Sequence, residues 1–450
     1  MAPSTTHPSS PTLSSSPPDV KNPSLVLRPA TIPERHHTWV LNKHSWKGIL
    51  TDNAYYLREA HIASQDLTRN GGITYWILVD PSAPCNTTCP QSPDHILSAC
   101  EVIRKPCLIA RKTGEVEEVI CYGIGSVYTS ERHRGKGYAK SMLQRLGHQL
   151  KTLPDPSKPE ESLRVGFSVL YSDIGKEFYN RIGWRPHQSS HISFPSKLPT
   201  SAPSSKAKNV LKSDLKALCA SDCAHIRRVV TKTPFAPDVE VRCVQFPTVE
   251  VMEWHHAREE FIGQYATSKA PTIKGAWVPI QQGAEYPPQE GSDGSNAVWV
   301  IWTHDYAEKK LVFLRLHTPT ITSGNENTIL EAIKHVIIAA ANEADAWGFK
   351  EIISWNPDDI TETAVKCVFG SGTGGQKLGA LVFSLSVFLS RFCFSFSCCF
   401  TVAPSKMGLS GTGPSLELMF LAFCLGQVGS LSKNALMESP YMDINGYGIT

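Results

Sequence analysis

The hydrophobic pattern divides the chain into two stretches of alternating strand and helix periodicity. Ser24–Ala30 alternates apolar and polar residues, which predicts an opening strand. Helical periodicity follows over Pro33–Lys47 and Asp52–Asp66. Ile73–Val79, Leu97–Ala110 and Glu118–Val127 are rich in Val, Ile, Tyr and Cys and read as strands. A helix is predicted from about Gly137 to Leu153, then a strand over Arg164–Tyr171 and a short helix over Gly175–Ile182. The second stretch opens with helical patterns at Leu215–Val230 and Val251–Gln264. Strands are predicted at Gly275–Pro279, Ala297–His304 and Leu311–His317, followed by a long helix at Thr328–Trp347 and a strand at Glu351–Trp355. This alternation implies an α/β fold of two mixed sheets with helices.

Three segments break the pattern. Residues 1–23 are Ser-, Thr- and Pro-rich with almost nothing apolar to bury, so disorder is expected there, and no signal peptide. Residues 195–212 form a second Pro/Ser/Lys-rich stretch, read as a linker between domains at 24–194 and 213–368. From 369 to 450 the chain turns apolar and poor in charge; residues 376–450 hold only Glu417, Glu438 and Asp443 as acids. Leu378–Ala403 is long enough to span a membrane, but Arg391 near its middle costs about 3 kcal/mol on an insertion scale. Its Phe, Ser, Leu and Cys content suits translation through a retained intron or a wrong gene model. The tail is therefore expected to stand outside the fold, with a membrane anchor as the alternative.

Composition narrows the function classes. Lys and Arg number 44 against 41 Asp and Glu, a net charge of +3, which argues against a nucleic-acid binder with a clustered basic surface. The 13 cysteines include no CxxC pair, and neither Cys85/Cys89 nor Cys219/Cys223 has histidines at zinc-finger spacing. No metal is expected, and the scattered thiols read as reduced, cytoplasmic cysteines. The adjacent His255 and His256 point about 100° apart on a helix and lack HExxH spacing, so they read as a partly exposed face with Glu253, Arg258, Glu259 and Glu260.

The chemistry concentrates in one turn, Arg132-His133-Arg134-Gly135-Lys136-Gly137-Tyr138-Ala139. Two glycines let backbone approach a bulky anion, and the helix that follows offers unpaired N–H groups and the positive end of its dipole. Arg132, Arg134 and Lys136 add cations at the same spot. The spacing is neither that of a P-loop nor that of a dinucleotide-binding turn. A basic turn with glycines for geometry alone is the alternative.

At this point the chain resembles the GCN5-related N-acetyltransferases. Arg132-x-x-Gly135-x-Gly137 is similar to the family's Q/R-x-x-G-x-G/A turn, and Phe178-Tyr179-x-x-x-Gly183-Trp184 to its F-Y-x-x-x-G-F element. The resemblance implies acetyl-coenzyme A as cosubstrate, its pyrophosphate at the turn and its pantetheine arm against the strand end Val127-Tyr128-Thr129. It implies Tyr179 as the acid that protonates the leaving thiolate, with a core aromatic as the alternative. Where many members carry Asn and Ala, this chain has Ser172 and Gly175; Ser172 can still hydrogen-bond the cofactor. No motif identifies the general base. Glu101, on a predicted strand facing the cleft, is the candidate, against a solvated strand carboxylate.

The second stretch lacks a basic glycine turn; His317-Thr318-Pro319-Thr320 sits where one would be, so its domain reads as a degenerate copy. Trp254–Phe261, Val298–Thr303 and Trp355-Asn356-Pro357, with Ser98-x-Cys100-Glu101 in the first half, resemble the fungal lysine N6-acetyltransferases of lysine catabolism. That implies transfer of acetyl to a small amine, most specifically N6 of free L-lysine. A protein or peptide acceptor, or a non-catalytic coenzyme A-binding module, are the alternatives. The sequence leaves the oligomeric state open.

Overall fold

In the computed structural model the described residues are 18–82, 95–151, 165–172, 176–187, 190–237, 239–289, 291–292, 294–370, 382–387 and 428–432. The first half runs β1 (Val26–Pro29), α1 (Ile32–Trp46), α2 (Asp52–Ala63), β2 (Ile73–Val79), β3 (Ile96–Arg111), β4 (Val116–Tyr128), α3 (Tyr138–Leu150), β5 (Val165–Ser172), α4 (Lys176–Asn180) and β6 (Arg185–His187). Periodicity explains these elements. α3 turns Met142, Leu143, Leu146 and Leu150 onto one buried stripe, while α2 starts where the Thr51 hydroxyl caps the Ala54 N–H.

The first sheet has the order β1-β2-β3-β4-β5-β14-β6, where β14 is Val382–Val387. Its members are antiparallel except β4 and β5, which run parallel. β3 is long enough to share one edge: β2 pairs its first half, and β9 (Val239–Gln245) pairs Cys107–Arg111. The second sheet follows the order β7-β13-β12-β11-β10-β8, built from β7 (His191–Pro195), β8 (Lys208–Leu211), β10 (Ile273–Pro279), β11 (Ala297–Asp305), β12 (Lys310–His317) and β13 (Glu351–Trp355). It too contains one parallel pair, β12 with β13, flanked by an antiparallel strand, β7. The helices α5 (Leu215–Lys232), α6 (Val249–Thr267), α7 (Glu326–Ala346) and α8 (Asp359–Phe369) complete this half. The chain is thus α/β, with the same parallel-pair arrangement in each sheet.

The division at 194 and 213 does not follow the sheets. β7 precedes the expected linker yet pairs with β13, and β8 lies inside that linker as an edge of the second sheet. β9, from the second half, closes onto β3. Apolar burial drives this exchange: Trp39, Trp46 and Tyr55 of the first half share one cluster with Phe194, Val300, Phe313 and Ile333 of the second.

Two further segments reach the sheets and the core, while residues 1–17 and most of the tail lie outside the described residues. Residues 18–23 pack against the fold, with Val20 partly buried against the α3 cluster and the Tyr138 hydroxyl donating to the Pro18 carbonyl. Within the tail, β14 (Val382–Val387) fills the gap between β5 and β6, and β15 (Val428–Ser432) pairs with β9. A stretch alternating Val, Phe and Leu with Ser suits an interior strand, and β5 and β6 each offer it an open edge. The rest of Leu378–Ala403, Arg391 included, lies outside the described residues. Among the described residues no helix is long and apolar enough to cross a membrane.

Candidate functional site

The basic turn joins β4 to α3. Gly135 and Gly137 have φ of 76° and 83°, in the left-handed region that side chains resist, so the sequence puts glycine where the backbone must bend. Gly137 is the residue at the mouth of α3, and no side chain caps the first helical turn there. A Cβ on Gly135 would meet nothing within 4 Å, so this backbone faces open space. The cations are braced by backbone: Lys136 Nζ donates to the Arg132 carbonyl at 3.0 Å, and Arg134 Nε to the Thr129 carbonyl at 3.2 Å. The Arg134 guanidinium also sits 5.5 Å from the Tyr128 ring centroid. His133 is buried edge-on against Tyr138, and Ala139 lies half-buried in the first turn of α3. His133 is a packing residue of the turn rather than an exposed part of it.

Beside the turn the sheet opens. The parallel ladder of β4 and β5 ends at Ile124↔Leu170, while β4 continues to Tyr128. On its other edge β4 stays paired with β3 through a bulge: Ala99 faces Tyr128 and Glu101 faces Gly125, two steps against three. Ser126 absorbs the extra residue with φ of 51°. The Ser98 hydroxyl donates to the Tyr128 carbonyl at 2.9 Å and lies 3.0 Å from the Thr129 hydroxyl, which fixes the strand end. Val127 packs against the α3 cluster. The cleft is therefore bordered by Gly125–Thr129 on one side and the end of β5 on the other.

The bulge delivers Ser126 Oγ to Glu101, where it donates to Oε2 at 3.0 Å. Glu101 is buried, not solvated, on the face of β3 opposite to Cys100 and Val102, which meet α3. Tyr75 is its direct neighbour on β2. α2 adds Tyr55 and the ion pair Arg58–Glu59, all buried; the Tyr55 hydroxyl donates to Asn42 at 2.8 Å. Burial is the main cause, and the Glu59 carboxylate the second, that pushes the Glu101 carboxyl up to about 8. Ser126 opposes both. A carboxyl held near neutrality beside an open cleft can exchange a proton with a bound ligand.

Tyr179 lies on α4, after β5, buried with Leu170, Tyr138 and Trp184 and edge-on to Phe178. The Trp184 indole donates to Ser168 at 3.1 Å and so ties the F-Y-x-x-x-G-W element to β5. Ser172 is the last residue of β5, its backbone paired with Val382; its side chain and Gly175 lie outside the described residues. Sequence reasoning missed Tyr55, Glu59, Tyr75 and Ser126. Only the strand register, which no local pattern encodes, brings them to Glu101.

The second sheet repeats the opening without the turn. Its parallel ladder ends at Val312↔Ile353, and a cavity of about 330 Å³ lies beyond, lined among others by His225, Arg315, Trp355 and Asp358. Arg315 is committed there to Asp222 through Nε and Nη2, at 2.6 and 2.8 Å. His255 and His256 are corrected from a partly exposed face to full burial; α6 is sandwiched between α2 and β11, and burial pushes His256 down to about 4. Its Nε2 donates to the Trp302 carbonyl at 2.9 Å. Among the described residues no group of three His, Cys, Asp or Glu is placed to hold a metal ion.

Comparison with known proteins gives a family match over the second half and distant relatives over most of the chain. Residues 191–376 match the family model described as the LYC1 GNAT-like C-terminal domain, and the match begins at the first residue of β7. The chain is 26% identical over 304 residues to a protein of Yarrowia lipolytica named lysine acetyltransferase, covering 58% of this chain and 69% of that one. It is 24% identical over 375 residues to an uncharacterised protein of Saccharomyces cerevisiae, covering 74% and 84%. Among solved structures, a GCN5-related N-acetyltransferase from Kribbella flavida aligns at 13% identity with a TM-score of 0.43, over 80% of this chain and 71% of that one. The chain is related to the GCN5-related N-acetyltransferases.

Proposed function

We propose that this relative of the GCN5-related N-acetyltransferases transfers acetyl from acetyl-coenzyme A to a small amine, most specifically N6 of free L-lysine. One observation carries the reading: the β4/β5 ladder opens after Ile124↔Leu170, between the Gly135–Gly137 turn and the buried Glu101. The turn receives the pyrophosphate on the uncapped N–H groups of α3, with Arg132, Arg134 and Lys136 around it. The pantetheine arm lies along Val127–Thr129, whose backbone faces the opening. The relative named lysine acetyltransferase supports the choice of lysine.

The chemistry follows from the charges. A lysine amine has an ordinary pKa of about 10.4 and arrives as an ammonium ion, which the Glu101 carboxylate and the Tyr55 and Tyr75 rings suit. Glu101 takes one proton, directly or through water, and the neutral nitrogen forms the N–C bond at the thioester carbonyl. The C–S bond then breaks, Tyr179 protonates the departing thiolate, and the second proton leaving the nitrogen returns to the Tyr179 oxygen, directly or through water. The buried cysteines, Cys100 and Cys107 among them, carry no disulfide and support a reducing, cytoplasmic setting. Isothermal titration with coenzyme A tests the placement: wild-type protein binds and Gly135→Glu does not, whereas equal affinity in the two removes the turn from the cofactor site.

A further inference from the structure

Arg35 is a cation set beside this site with no anion paired to it among the described residues. It lies half-buried on α1, its guanidinium carbon 5.2 Å from the Trp39 ring centroid and 5.5 Å from that of Tyr75. Among the described residues it makes no ion pair, and its Nε is buried with no hydrogen-bond partner. Arg58, the cation over the neighbouring Tyr55 ring, is committed to Glu59. Tyr75 is the direct cross-strand neighbour of Glu101, so the two side chains share one face of the sheet. Arg35, Tyr75 and Glu101 therefore stand in a row, with a cation at one end, an aromatic wall between, and a carboxyl group at the other.

The row has a length. Direct cross-strand neighbours lie about 5 Å apart, and Arg35 stands a further 5.5 Å from the Tyr75 ring. A lysine-length chain with a hydrogen bond of about 2.9 Å at each end bridges such a span. A simple alkylamine would leave the guanidinium fork unmet, whereas a carboxylate accepts it in bidentate fashion.

We propose that Arg35 binds the α-carboxylate of the acceptor and so selects ω-amino carboxylic acids over amines that lack a carboxylate. This rests on Glu101 receiving the reacting amine. The test compares L-lysine with cadaverine, which has the same terminal amine and no carboxylate, in wild-type protein, Arg35→Gln and Arg35→Lys. Arg35→Gln is expected to raise KM for lysine roughly ten- to hundredfold, the loss of one charge-assisted clamp. It should leave KM for cadaverine and kcat for both amines near wild type, and Arg35→Lys should recover part of the lysine affinity. Equal losses on lysine and cadaverine would overturn the proposal and make Arg35 a packing residue. An unchanged KM for lysine would overturn it as well. A wild-type protein that acetylates neither amine would overturn the underlying reading instead, and the proposal with it.

Discussion

Ser126 Oγ donates to Glu101 Oε2 at 3.0 Å across a bulge that exists only because β4 carries one residue more than β3. The hydrogen bond favours the ionised carboxylate, while burial and the Glu59 charge favour the neutral form and hold the group up at about 8. A base must be ionised to act, so kcat/KM should rise with pH through a pKa near 8, well below that of the amine. Ser126→Ala should move that limb to higher pH, and Glu59→Gln should move it lower, each by about one unit. The pH dependence of kcat/KM for the three proteins checks both signs. Movement in the same direction would exclude Glu101 as the titrating group.

Glu101→Gln should cut kcat by about a hundred- to ten-thousandfold, the usual worth of a general base, with coenzyme A affinity unchanged. Its effect on stability has the opposite sign. The folded-state pKa of Glu101 is raised, so its neutral form is accommodated below about 4.5 and folding is penalised as pH rises through about 8. Thermal melts of the variant should gain on wild type at pH 9 relative to pH 6.

Tyr179→Phe should lower kcat more than it raises KM, since the hydroxyl is assigned to the leaving thiolate. Because Tyr179 is buried among apolar side chains, the ring itself should keep its packing. A loss confined to cofactor affinity would return Tyr179 to a purely structural role.

The second half should be sensitive to a different charge. Glu259 accepts from Lys274 Nζ at 2.6 Å, from the His304 N–H at 2.7 Å and from the Thr303 hydroxyl at 3.0 Å, all fully buried. His304 passes the network on to Glu343 at 3.1 Å, so α6, β10, β11 and α7 are tied at one point. Lys274→Met strips the carboxylate of its cation and should cost about 3–5 kcal/mol in urea unfolding. Glu259→Gln in the Lys274→Met background should recover part of that loss. The basic turn lies on the other sheet, so coenzyme A affinity of the folded variants should not change.

Long elements were legible because burial writes a period into them. The α3 stripe and the β11 run Ala297–Asp305, every residue of which is buried, could be read directly. The turn was legible because glycines at positive φ between cations have few other uses. Several edge and crossover strands, β6, β7, β8 and β9, were not. β6 and β8 carry no run of alternating or continuous apolar residues set off by turn signals, and the Pro-rich composition around β8 masked an edge strand. α8 begins with the Asp358 carboxylate capping the Thr361 N–H, a signal present in the sequence but lying beyond the last expected strand. Glu101 could be singled out by its place on a strand. Its burial could not, because Tyr55 and Glu59 reach it from a helix far away in the chain. His255 and His256 look like a polar face until α6 is seen between two layers.

The most direct test of the account is a panel of amines assayed for thiol release from acetyl-coenzyme A, with the product identified by mass spectrometry and NMR. The account predicts N6-acetyl-L-lysine as the main product. Release should be abolished by Gly135→Glu and cut at least a hundredfold by Glu101→Gln. Histone peptides acetylated far faster than lysine, acetylation at the α-amine, or no thiol release with any amine would contradict it.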